Sequence, residues 1–63
     1  MLIQVKDYFF DPRFVEFVSE IRFDKRFKNY YFEIIFKNIN FYFEYNNYSD
    51  ANEDRNKLLQ IFF

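Results

Sequence analysis

Cysteine, histidine, glycine and threonine are all missing from this 63-residue chain, and each absence removes a class of chemistry. Without cysteine there is no disulfide and no thiolate metal site. Without histidine the commonest zinc ligand and the usual general base are gone. Without glycine no glycine-rich phosphate loop can form. Ser19 and Ser49 are the only aliphatic hydroxyls, and neither has a histidine to activate it. Long apolar runs are missing too. Uncharged stretches such as Ile39–Phe43 fall far short of the roughly 20 residues that a membrane-spanning helix needs. After Met1, the opening Leu2-Ile3-Gln4-Val5 carries no basic segment, long apolar run or small-residue cleavage site. A soluble, cytoplasmic protein with no membrane contact, no cofactor and no catalytic apparatus is therefore expected.

What the chain has in abundance is aromatic area. It holds 12 Phe and 6 Tyr, and aromatics make up 29% of the residues. Sixty-three residues make one domain, spanning 1–63. A domain of that size buries only about 60% of the surface its unfolded chain exposes. Each aromatic ring buries roughly 150–250 Å², so the rings can supply the core that disulfides or metals supply elsewhere. Nine basic and ten acidic residues give a formal charge of -1. That balance argues against a protein devoted to wrapping nucleic acid.

Period-two alternation is strongest over residues 30–46. Phe32, Ile34 and Phe36 alternate with Tyr31, Glu33 and Ile35, and Ile39, Phe41, Phe43 and Tyr45 with Asn40, Tyr42 and Glu44. Lys37-Asn38 between them suits a two-residue turn. The implied register sets Phe36 against Ile39, Ile34 against Phe41 and Phe32 against Phe43, all on one face. A helix is predicted from about Asp50 to Phe62. Ser49 or Asp50 would cap it, Asp50, Glu53 and Asp54 lie near its positive end, and Ala51, Arg55, Leu58, Leu59 and Phe62 form a stripe beside Ile61. Leu2–Val5 and Tyr8–Phe10 read as short strands around Lys6-Asp7.

Residues 14–23 admit two readings. As a strand, Val15, Phe17, Ser19, Ile21 and Phe23 share one face, and Phe14, Glu16, Val18, Glu20 and Arg22 the other. As a helix, Asp11 caps, Pro12 opens, and Phe14, Phe17, Val18 and Ile21 form the stripe. Aromatic and β-branched content favours the strand; the Asp-Pro start favours the helix. The expected fold is α+β: an antiparallel meander of three to five strands with one C-terminal helix packed on one face. The alternative is β-α-β-β-α.

The stretches QVKDYFF, VEFVSEIRF, YYFEIIFKN, INFYFEY and DANEDRNKLLQIF resemble small uncharacterised proteins of low-GC bacteria and their phages. That resemblance implies a short antiparallel sheet closed by one C-terminal helix. It assigns no residue a role.

Functional candidates lie on surfaces rather than in a site. Glu33 and Glu44 could be diagonal neighbours, but a two-stranded face is no cleft for paired-carboxylate chemistry. Asp50, Glu53 and Asp54 lack the glycine and spacing of a calcium loop. Arg22, Lys25, Arg26 and Lys28, interleaved with Phe23 and Phe27, could contact phosphates or an acidic partner, although the acidic residues nearby and the overall charge disfavour nucleic acid. In the strand reading, Tyr31, Ile35 and Tyr42, with Phe14 and Val18 alongside, occupy the sheet face away from the helix. Large rings inside a charged rim resemble a protein interface. A helix about 10 Å across should also leave part of the other, apolar face uncovered, which points to a homodimer or a protein partner. The expected function is non-enzymatic protein binding. By the phage-type resemblance it would be inhibition of a host macromolecular complex, in the manner of anti-CRISPR proteins. The alternatives are a small nucleic-acid-binding protein using residues 22–28 and a structural homo-oligomer.

Overall fold

A computed structural model describes residues 2–62, with side chains described through residue 60. Met1, Phe63 and the side chains of Ile61 and Phe62 lie outside that description, and with them the helix-stripe positions expected for Ile61 and Phe62. The order along the chain is β1 (Ile3–Val5), β2 (Tyr8–Phe10), a 3-10 turn (Pro12–Phe14), β3 (Val15–Val18), β4 (Arg22–Asp24), β5 (Asn29–Phe36), β6 (Ile39–Tyr45) and α1 (Tyr48–Phe62). It is an α+β fold of antiparallel sheets and one C-terminal helix. No helix among the described residues is long and apolar enough to cross a membrane.

β5 is the centre. On one side β6 pairs with it without interruption, and the register is the one the alternation requires: Phe36 with Ile39, Ile34 with Phe41, Phe32 with Phe43. Lys37 and Asn38 between the strands both take positive φ, 51° and 68°. Positive φ at both central residues suits the right-handed twist of the flanking strands. With no glycine in the chain, a lysine and an asparagine carry that conformation.

On its other side β5 pairs with β3 and β4, which are two halves of one interrupted strand. The Asp-Pro signal that suggested a helix is real but goes no further than one turn. Asp11 accepts a hydrogen bond from the Arg13 N–H, Pro12 opens the turn, and Val15 is already extended. The Arg13 side chain, hydrogen-bonded to Asp11, with the Arg13 N–H, lowers the Asp11 pKa to about 2.

The inner face of the sheet carries Phe32 and Ile34, both 0% exposed, with Phe43 and Tyr45. α1 covers part of it with Ala51 and Leu58. The part expected to remain bare is covered by the chain's own β1–β2 hairpin. Val5 and Phe10 are buried there, and the Phe10 ring meets Phe36, Phe41 and Phe43 edge-on at 5.3, 5.6 and 5.8 Å. The inner face therefore gives no reason to invoke a second copy, because two short strands do what one helix could not.

The helix begins two residues earlier than predicted. Asn47, rather than Ser49 or Asp50, is the cap: its Oδ1 accepts from the Asp50 N–H at 2.8 Å, and its Nδ2 donates back to the Asp50 carboxylate at 3.1 Å. Asparagine is among the best cap residues because its short side chain reaches the first free N–H groups.

Candidate functional site

The sheet face away from α1 is built by alternation from β5 and β6 and by pairing from β3 and β4. Tyr31, Glu33 and Ile35 of β5 lie across from Glu44, Tyr42 and Asn40 of β6. The Tyr31 and Tyr42 rings are 6.4 Å apart, and Tyr42 is 58% exposed. Glu33 and Glu44 are diagonal, as expected, and each carboxylate is held by an asparagine. Asn40 Nδ2 donates to Glu33 at 2.6 Å, and Asn29 Nδ2 donates to Glu44 at 2.7 Å. These bonds hold the acidic side chains beside the rings.

The third strand corrects the expected lining. Val15 pairs with Phe36, but Phe17 pairs with Ile35 and Val18 with Ile34. Glu16 is thus the extra residue of a β-bulge, which shifts the alternation by one. Val18 moves to the inner face, where it packs against the core. Phe17 takes its place beside Ile35 and is 46% exposed. Phe14 is also displaced. It sits on the 3-10 turn with its ring 6.3 Å from Phe36, an inner-face residue, and Lys37 Nζ lies 4.6 Å over it. Of the five expected lining residues, Tyr31, Ile35 and Tyr42 share the face, and Phe14 and Val18 do not.

The basic residues separate in the same way. Arg22 pairs with Tyr31 and stands at the margin of the outer face. Lys25, Arg26 and Lys28 lie on the β4–β5 turn, exposed together with Phe27. Asp24 holds that turn by accepting from the Arg26 and Phe27 N–H groups at 2.8 and 3.4 Å.

Two features had no sequence signal. The first is Ser19, buried at 1% exposure between β3 and β4. Its N–H donates to the Glu33 carbonyl at 2.8 Å, and its Oγ accepts from the Glu33 N–H at 2.8 Å and donates to the Glu20 carbonyl. The hydroxyl stands in for the backbone carbonyl of the ladder, because the Ser19 carbonyl is turned to α1, where Arg55 Nε donates to it at 2.7 Å. The second is an open groove of about 560 Å³ near the start of α1, with Glu44, Asp50, Glu53 and Asp54 around it. Lys6 reaches into it, donating to the Glu44 carbonyl and lying 4.4 Å over the Tyr45 ring. Tyr45 donates to Asp54 at 2.8 Å; burial, then that bonded carboxylate, push its pKa upward. Among the described residues no group of His, Cys, Asp or Glu is arranged to hold a metal ion. Comparison with protein-family models, curated proteins and solved structures gave no match.

Proposed function

We propose that the chain is a non-catalytic protein-binding module that engages its partner through the outer sheet face. The observation that carries this reading is the diagonal contact of the Tyr31 and Tyr42 rings, with Ile35 and Phe17 beyond them, inside a margin of Arg22, Glu33, Glu44 and Asn40. A sheet face meant only for water needs no such rings, and tyrosine is over-represented among residues that dominate binding. The absence of histidine and cysteine supports a role without chemistry. On the resemblance to phage-type proteins, the partner would be a host macromolecular complex and the effect inhibition.

One observation favours a second reading, contact with nucleic acid. Phe27 is 69% exposed on a turn that also carries Lys25, Arg26 and Lys28. The test compares two variants against the same partner, isolated from host extract and titrated by calorimetry. Tyr31→Ala with Tyr42→Ala should weaken binding by about 2 kcal/mol or more with the fold intact by circular dichroism. Lys25→Ala with Arg26→Ala should do much less. A silent tyrosine pair, with binding that collapses in the basic pair and falls steeply with salt, would move the interaction to the turn.

A further inference from the structure

The two outer edges of the sheet are treated differently. The β3–β4 edge is interrupted by the Glu16 bulge and the gap at Ser19–Ile21, and it carries Glu20 and Arg22. Bulges, breaks and charges are how native sheets discourage edge pairing. β6 has neither bulge nor break: Ile39–Tyr45 is seven residues long and charged only at Glu44.

The Lys37-Asn38 turn makes Phe36 and Ile39 the closing pair, so alternate residues of β6 bond to β5. The N–H and C=O groups of Asn40, Tyr42 and Glu44 then point the other way. The contact of Lys6 Nζ with the Glu44 carbonyl agrees with that direction, and a carbonyl has a second lone pair for another donor. β6 pairs with no strand besides β5 among the described residues.

We infer that this edge pairs with the β6 edge of a second copy, antiparallel, about a two-fold axis at Tyr42. That register is the one that overlaps the whole strand. It sets Tyr42 against Tyr42 of the second copy and Asn40 against its Glu44, twice over by symmetry. No like charges meet, and asparagine against glutamate is the pairing this face already uses within the chain. On the inner side Phe43 and Tyr45 stay buried in their own core, and Ile39, 56% exposed, is the apolar side chain the second copy would cover. The inference rests on the backbone edge and does not require the partner-binding reading, although Asn40, Tyr42 and Glu44 belong to both surfaces.

Sedimentation at micromolar concentration should show a species of twice the 8.1 kDa monomer mass. Asn40→Glu puts two pairs of glutamates in opposition and should weaken dimerisation by about tenfold or more. Asn40→Glu with Glu44→Lys restores opposite charges and should recover the dimer, which separates the register from any loss of fold. In hydrogen exchange the Tyr42 amide should gain protection as concentration rises. A chain that stays monomeric at millimolar concentration would overturn the inference. So would a dimer insensitive to Asn40→Glu, or one not recovered in the double variant.

Discussion

The two flanks of β5 are made by different means. Toward β6, seven consecutive pairs run from Tyr30–Tyr45 to Phe36–Ile39 with no break. Toward β3 and β4 the ladder is bulged at Glu16 and interrupted around Ser19, where a hydroxyl supplies one of its hydrogen bonds. A hydrogen bond also ties each flank to α1, Tyr45 to Asp54 on the regular side and Arg55 to the Ser19 carbonyl on the broken side. Strand alternation is readable where backbone meets backbone residue for residue. It fails where one extra residue or one side chain takes a backbone group's place.

Phe32 lies at the middle of β5, pairs with Phe43 and is 0% exposed, so it should show the largest effect. Phe32→Ala should cost about 3–5 kcal/mol, as for other buried aromatic truncations. In a domain this small that is most of the stability available, and the variant should be largely unfolded by circular dichroism at 25 °C. A cooperative melt close to wild type would mean that the inner face is not the core.

Ser19→Ala should break the irregular flank alone. Removing the hydroxyl leaves the Glu33 N–H and Glu20 carbonyl without their partner and should cost about 1–3 kcal/mol by denaturant titration. The distinguishing measurement is hydrogen exchange. The Glu33 amide should lose protection, while the Ile34 amide, bonded toward β6, keeps it.

Tyr45→Phe probes the regular flank's tie to α1 and should cost about 1 kcal/mol. Its pH dependence has a defined sign. The folded state raises the Tyr45 pKa above the ordinary value of 10.0, so the neutral phenol is preferred in the fold. The stability this contributes is fully present below pH 10.0 and is lost as pH climbs from there toward the raised folded value. Thermal melts should therefore fall off above that pH more steeply in wild type than in Tyr45→Phe. Equal slopes would show that neither the burial of the phenol nor its bond to Asp54 persists in solution.

The smallest effect is expected at the β5–β6 turn. Replacing Lys37-Asn38 by Asn-Gly places better-suited residues at the two positive-φ positions and should raise stability by about 0.5–1 kcal/mol. An unchanged or lowered melting temperature would mean that the turn is not of the type its dihedral angles describe.

By itself the sequence determined the α+β class, the β5–β6 register, the Lys37-Asn38 turn, the β1–β2 strands and the existence of the C-terminal helix. These follow from local periodicity and turn chemistry, and each is carried by residues close together in the chain. It also placed Tyr31, Ile35 and Tyr42 together, since the same alternation that buries Phe32 and Ile34 exposes their neighbours. Only the tertiary structure decided the rest. Whether Phe17 or Val18 faces outward depends on the bulge at Glu16, two residues after the 3-10 turn at Pro12–Phe14. Ser19 and Arg55 are 36 residues apart, and nothing in either neighbourhood announces the bond between them. The reach of β1–β2 over Phe36, Phe41 and Phe43 is likewise a long-range packing choice. Periodicity reports which residues wish to be buried, but which element buries them is settled only when the whole chain competes for the same apolar face.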